Sequence, residues 1–273
     1  MPVINTNVAS IQARGNFDRV QREMDQAIAR LSSGKRINRA HDDAAGQAIS
    51  GRMTSQILGL NMQIRNSKDA QSLINTMEGG MQAVTSLLQR MRELAVQASN
   101  GVSTAADRGY LDTEMTALVN EIDAIAANTK FNETGVFTGS DFSFYTDINL
   151  TGTKILAGTA AMEASSLGFS AADVTISTVA NAVLAVTALD NAISLVADRQ
   201  GTMGAISNRL DHVVDNLTNV VANTVSAQSR IQDADYAVET TALTRATILQ
   251  QAATSMIAQA NANKNSIMTL IQG

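Results

Sequence analysis

Steps of four and three residues from position 49 meet Ile49, Met53, Gln56, Leu60, Gln63, Ser67, Ala70, Ile74, Met77, Met81, Val84, Leu88, Met91, Ala95 and Ala98. Twelve of these fifteen are apolar. A row that keeps a 3.5-residue period for seven heptads describes a helix lying along other helices, because an isolated 3.6-residue helix drifts off such a seam. At 1.5 Å per residue the stretch spans roughly 75 Å, which is a rod. The only proline is Pro2, so nothing of that kind interrupts a long helix. Aromatic residues are 3% of the chain and Trp and Cys are absent, which suits close helix contact better than a thick core.

Charge and composition narrow the function classes. A net charge of −5 leaves no basic footprint for nucleic acid. Positions 1–10 hold no Lys or Arg and no apolar run of signal-peptide length, so export through the general secretory route is not expected. Nor is a membrane span expected; the most apolar-looking segment, 242–260, is broken by Arg245, Gln250 and Gln251. His41 and His212 are too few for a histidine metal cluster, and Asp42-Asp43 and Asp233-x-Asp235 lack the calcium-loop pattern. Ser33-Gly34-Lys35 echoes a phosphate loop, but Arg36 stands where Ser or Thr is required. The expectation is no enzyme, no cofactor and no metal. The methionines Met53, Met77, Met81 and Met91 read as seam packing.

Taken in order, the chain starts with a helix whose apolar positions are Ile4, Val8, Ile11, Phe17, Val20, Met24, Ala27 and Leu31, ending at Ser32-Ser33-Gly34. A basic connector follows to His41, and Asp42 or Asp43 caps the rod. Gly79-Gly80 suggests a slight bend. After Asn100-Gly101 a second helix presents Leu111, Met115, Leu118, Ile122 and Ile125. Aromatics and glycines between Phe131 and Phe169 predict a small β-hairpin region. Helix returns near Ser177, with Val183, Val186, Leu189 or Asp190, Ile193 and Val196 facing inward, and breaks at Asp233-Ala234-Asp235. The last segment places Ala242, Ala246, Leu249, Ala253, Met256, Ala260, Asn263, Ile267 and Leu270 on one row.

The fold class expected is therefore mainly α: a long antiparallel helical bundle or coiled coil with a small β-hairpin region in the middle of the chain. Its parts are an N-terminal helix with connector (1–41), a helical bundle (42–232) with the β region at about 129–176, and a C-terminal helix (233–273). Isolated terminal helices gain little from propensity in water. Their apolar rows, carried by Ile4, Val8, Ile11, Val20, Met24, Leu31, Leu249, Met256, Ile267 and Leu270, are expected to find partners in other copies of the chain.

Several ordered motifs carry a resemblance. Met1-Pro2-Val3-Ile4-Asn5-Thr6-Asn7, Arg30-Leu31-Ser32-Ser33-Gly34-Lys35-Arg36-Ile37-Asn38 and Asp42-Asp43-Ala44-Ala45-Gly46 resemble the N-terminal signature of bacterial flagellin. Gln89-Arg90-Met91-Arg92-Glu93-Leu94-Ala95-Val96-Gln97-Ala98 and Thr129-Lys130-Phe131-Asn132 do too. Ser229-Arg230-Ile231-Gln232-Asp233-Ala234-Asp235-Tyr236, Ile248-Leu249-Gln250-Gln251-Ala252 and Ala258-Gln259-Ala260-Asn261 resemble its C-terminal signature. The resemblance implies an extracellular filament of many copies, a homopolymer whose paired terminal helices line a channel. It also implies unfolded export through the flagellar type III apparatus, an export chaperone on the C-terminal helix, and contacts with hook-junction and cap proteins. About forty residues separate Gly139 from the returning helix, so the large outer domains common in flagellins are expected to be absent. Glu133 replaces the glycine that usually follows the Phe-Asn motif. The wall-helix patch read by Toll-like receptor 5 maps onto Gln89, Arg90, Leu94 and Glu114. The rival readings are a hook–filament junction protein, with similar terminal helices, and a signalling coiled coil, which has no need of two assembly-prone ends.

Overall fold

The computed structural model describes residues 6–145, 154–157 and 161–272, with side chains in all of them except 154, 157 and 264–272. The order is α1 (Val8–Ser33), α2 (Ala44–Ala98), α3 (Ala105–Asn128), β1 (Lys130–Phe131), β2 (Thr134–Gly135), β3 (Phe142–Tyr145), β4 (Lys154–Ala157), α4 (Val179–Gln232) and α5 (Tyr236–Gln272). A short 3-10 turn, Ala164–Leu167, precedes α4. The fold is mainly helical, as the periodicity requires. The chain divides into two compact units, one of Met1–Ile57 with Ala222–Gly273, the other of Leu58–Val221.

The core of the second unit is built on the rod. Every member of the 4/3 row from Leu60 to Ala98 is buried, the polar Gln63 and Ser67 included. Opposite it, α4 contributes Ala182, Ala185, Leu189, Ala192, Val196, Met203, Ile206 and Leu210. Of the expected α4 face, Leu189 and Val196 are buried and Val186 and Ile193 pack against the core; the correction falls on Val183, which is 55% exposed, the buried position there being the neighbouring Ala182. Alanines let two helix axes approach closely, whereas the branched residues fit the flank. The most apolar long window also lies in α4, with mean hydropathy 1.6, rather than in 242–260. Gln71 donates to Asp211 at 2.5 Å and Arg92 pairs with Asp190 at 2.6 Å. From Gln71 to Arg92 is 21 residues forward, and from Asp211 to Asp190 is 21 back, so the antiparallel register holds across three heptads.

Towards the start of α2 the inward row shifts by one. Gly46 and Ser50 are buried and Met53 and Ile57 half-buried, while Ile49 and Gln56 face out. The spacing Ile57–Leu60–Gln63 is three and three, a heptad short of one residue, which overwinds the coil locally and moves the row. Ser50 then donates to Gln232 at 2.9 Å, and Gln228 donates to Thr54 at 2.7 Å.

Local chemistry sets the helix ends. α3 starts in a capping box: the Asp107 amide donates to the Thr104 hydroxyl at 3.2 Å and the Thr104 amide to the Asp107 carboxylate at 2.9 Å. The Thr104 hydroxyl and amide hold the Asp107 carboxyl below its ordinary pKa. α2 is capped by Asp43, whose side chain accepts from the Gly46 amide at 2.9 Å. Asp42 instead folds the connector, accepting from the Arg39 and Asn38 amides at 3.0 and 3.1 Å. These amides, Arg39 first, hold its carboxyl below the ordinary range. α2 runs as helix through Gly79-Gly80. Gly80 seats a ring: a Cβ there would lie 2.7 Å from Cε2 of the buried Phe137.

Among the described residues the β region holds two antiparallel strand pairs. β1 pairs with β2 through a two-residue turn, Asn132 (φ 48°) and Glu133 (φ 66°), both left-handed. β3 pairs antiparallel with β4, Phe142 opposite Ala157. Segment 161–176 is strapped down by α3 and α4. The Ala164 and Ile176 amides donate to Asp123 and Asp112 at 2.9 and 2.8 Å, and Arg199 donates to the Ala161 carbonyl at 2.7 Å. That strap buries Met162, Leu167, Phe169, Val174 and Ile176. Burial pushes the Arg199 pKa down.

Left-handed geometry costs a side-chain-bearing residue about 1–2 kcal/mol, whereas glycine adopts it freely and loses roughly 0.5–1 kcal/mol to its looser unfolded chain. Glu133→Gly is therefore expected to stabilise the second unit by up to about 1 kcal/mol, a rise of about 2–4 °C in Tm. A melting temperature equal to or below that of the parent contradicts this account of the turn.

Candidate assembly surface

The first unit pairs the two ends of the chain. On α1 the inward positions are Ser10, Ala13, Phe17, Val20, Met24, Ala27 and Leu31; on α5 they are Glu239, Leu243, Ala246, Gln250, Ala253, Ile257 and Ala260. Both rows step by three and four residues, the spacing of a coiled-coil seam. The helices run antiparallel, tied by Arg30 to Glu239 at 3.0 Å, Gln250 to Gln21 at 2.6 Å and Asn7 to the Ala260 carbonyl at 3.2 Å.

The connectors between these helices and the long ones meet in the same unit. Gly34 closes α1 with φ 68°, its amide donating to Arg30 at 2.8 Å. The Arg36 amide and guanidinium reach the carbonyls of Gln232 and Ile231, both at 2.7 Å, and the Ala234 amide returns to Gly34 at 3.0 Å. Ile37 is buried beneath.

One expectation changes here. Val20, Met24 and Leu31, assigned to contacts between copies, face α5 of their own chain. The physical reason lies in α5, which carries two apolar rows sharing the alanines Ala246, Ala253 and Ala260. One row, completed by Leu243 and Ile257, closes on α1. The other, completed by Ala242, Leu249 and Met256, looks outward, with Leu249 44% and Met256 64% exposed. A single partner helix covers one seam, so the second stays open. Val8, Ile11, Ile28, Val238 and Ile248 are exposed as well. Ile4 lies outside the described residues, and so do the side chains of Ile267 and Leu270. Leu243, Gln250 and Ile257 escaped the sequence reading because polar Glu239 and Gln250 interrupt their row; its strict 4/3 spacing was the available signal.

The residues matched to the receptor patch divide. In the second unit Arg90 bridges α2 and α3, donating through Nε and Nη2 to Glu114 at 3.0 and 2.9 Å and through Nη1 to Glu93 at 3.2 Å. Hydrogen bonds to Glu114, then Glu93, raise the Arg90 pKa. Gln89 is exposed beside it. Leu94 is not a surface contact: it is 1% exposed, packed into the core one turn beyond Met91. Among the described residues no three His, Cys, Asp or Glu side chains gather to hold a metal.

The bacterial flagellin N-terminal helical region matches residues 4–141, and the flagellin C-terminal helical region matches 186–271. The chain belongs to the bacterial flagellin family. It is 39% identical to the flagellin of Halalkalibacterium halodurans over 99% of this chain and 100% of that one. Flagellin FlaB2 of Treponema pallidum is 35% identical, again over 99% and 100%. These full-length matches agree with a short flagellin without outer domains. The crystal structure of Bacillus cereus flagellin superposes with a TM-score of 0.50 at 32% identity, covering 60% of this chain and 94% of that one. A putative flagellar hook-associated protein of Vibrio parahaemolyticus shares the fold alone, with TM-score 0.62 at 14% identity. As a flagellin the chain is a filament subunit outside the cell, a structural protein and not an enzyme.

Proposed function

We propose that the outward rows of the terminal pair, Val8 and Ile11 on α1 and Leu249 and Met256 on α5, are the seams through which copies of this flagellin join. The observation that carries this is the doubled apolar row of α5, half of it left open by α1. Burying a large aliphatic side chain contributes about 1.5–3 kcal/mol, so four of them supply several kcal/mol per added copy. Ile4, Ile267 and Leu270 extend the same rows along the sequence. Growth by addition of copies follows from a surface exposed on every monomer. Electron microscopy of the purified intact chain tests the reading: long tubes are expected, and short rings or persistent monomers contradict it.

The same end helices fit the remaining partners. Export through the type III apparatus requires an unfolded chain, and a chain without cysteine has no disulfide to undo. The open row of α5 is the surface for an export chaperone before assembly, and the terminal pairs at either end of the polymer are the surfaces for hook-junction and cap proteins. Recognition of the monomer by Toll-like receptor 5 rests on Gln89, Arg90 and Glu114, with Leu94 supporting them from beneath. Arg90→Ala removes an exposed cation held by two exposed carboxylates, so the fold should survive while receptor activation falls at least ten-fold. Unchanged potency in a cell reporter assay removes this patch from consideration.

A further inference from the structure

The connector between α2 and α3 carries a chemistry that assembly does not use. Asn100-Gly101 is the one place in the sequence where glycine follows asparagine. It lies after Ala98 and before Ala105, and both residues are exposed. The Asn100 Oδ1 accepts from the Val102 amide at 3.2 Å, so the side chain is folded over the peptide group that follows it. The turn is held from either side of that peptide. The Asn100 amide donates to the Gln97 carbonyl and the Ser103 amide to the Asn100 carbonyl, both at 3.2 Å. Among the described residues the Gly101 amide donates no hydrogen bond, and neither does the Asn100 Nδ2.

These are the parts of an internal acyl transfer. Asn66 and Asn75, by contrast, lie inside α2, where the amide of the following residue is held in the helical ladder. At Asn100 the following nitrogen is unbound and no β-carbon shields it. The Asn100 Cγ is the carbonyl carbon within its reach, and the bond between them closes a succinimide ring. The Val102 amide, already on Oδ1, is placed to hold the negative charge that this oxygen gains when its carbonyl is attacked.

We propose that Asn100 is a deamidation site, at which the chain converts its own side-chain amide to a carboxylate through a succinimide with Gly101. The Gly101 nitrogen loses its proton to solvent and bonds to Cγ; the Cγ–Nδ2 bond breaks, and Nδ2 takes up a proton and leaves as ammonia. Water then opens the ring. Addition at Cγ breaks the new bond and gives aspartate, whereas addition at the main-chain carbonyl breaks the original peptide bond and gives isoaspartate. No electrons are exchanged, and the loss of ammonia makes the change one-way. Each event adds a negative charge to a chain already at −5, and the isoaspartyl form also lengthens the α2–α3 connection by one carbon. The turn is thus a record of a subunit's age, whatever surfaces join the copies.

The test is incubation of the full folded chain in mildly alkaline buffer, followed by tryptic digestion and mass spectrometry. The fragment Glu93–Arg108 contains Asn100 as its only asparagine. It should gain the mass of amide-to-acid conversion roughly ten-fold or more faster than any other asparagine, as a mixture of aspartate and isoaspartate. Gly101→Ala should slow the conversion roughly ten-fold or more, because a β-carbon hinders the attacking nitrogen. That variant should fold as the parent does: a Cβ at 101 meets nothing within 4 Å, and the backbone there is not left-handed. Matching circular dichroism melts keep the comparison between folded chains. Equal conversion in parent and variant overturns the proposal, and so does a product that is aspartate alone, which is direct hydrolysis. Conversion in the chain unfolded by urea with none in the folded chain also overturns it, since the turn then locks the peptide.

Discussion

Leu249→Gln combined with Met256→Gln should raise the critical concentration for polymer growth about a hundred-fold or more while leaving the monomer folded. Both residues lie on the open row of α5, at 44% and 64% exposure, so the monomer loses only part of their burial when they change, less than a fully packed position would. Glutamine is as good a helix former as leucine or methionine, which keeps α5 intact. In the polymer each lost apolar contact removes about 1.5–3 kcal/mol, and every 1.4 kcal/mol is a factor of ten. Sedimentation of polymer across a concentration series reads the effect. An unchanged critical concentration places the intermolecular seam elsewhere. The paired control Leu243→Gln with Ile257→Gln hits the other row and should instead weaken the α1–α5 pair itself.

Ending the chain after Asp235 should abolish polymer altogether. The truncation removes α5 and with it the partner of Phe17, Val20, Met24 and Leu31, so α1 is left with an uncovered apolar row. A 26-residue helix in that condition has little to stabilise it. The second unit keeps its own core from Ala70 to Leu210, with Leu88, Met91, Ile122, Leu189 and Val196 all buried. Its melting transition should therefore persist, as an independent cooperative step, in a soluble chain. Polymer from the truncated chain, or loss of the second unit's transition, contradicts the division of labour between a folded body and sticky ends. Removing the first 33 residues should act likewise by uncovering α5.

The difference between what the sequence reveals and what it hides has physical causes. The rod was legible from Leu60 to Ala98 because one strict period runs through many turns, and even polar Gln63 and Ser67 obey it. It failed at Ile49 and Gln56, where the three-and-three step through Leu60 rotates the row by a residue. In α4 the reading was right at Leu189 and Val196, with Val186 and Ile193 on the flank of the core, but it passed over Ala182, Ala185 and Ala192, since close approach favours the smaller side chain. α5 misled differently, with two seams sharing one row of alanines; apolar content made the outer seam more visible than the inner. The strap over 161–176 was out of reach, because it depends on Asp112, Asp123 and Arg199, which are far away in sequence. Leu94 is a lesson of the same kind: a motif match gives residue identity, and only packing tells which members of a motif reach the surface. At Glu133 the resemblance pointed to a missing glycine, and the turn does adopt the left-handed geometry glycine favours.

The central claim is that the chain's two ends hold apolar surface that one copy leaves uncovered and neighbouring copies bury. Hydrogen exchange measured before and after polymerisation addresses it directly. In the monomer, amides of α1 and α5 should exchange far faster than those of α2 between 60 and 98, because a two-helix pair opens more readily than a closed core. On polymerisation, exchange in α1 and α5 should slow at least a hundred-fold while the 60–98 segment changes little. Exchange in α1 and α5 that is equally slow in monomer and polymer would mean that the ends are already satisfied within one chain, and the account would be wrong.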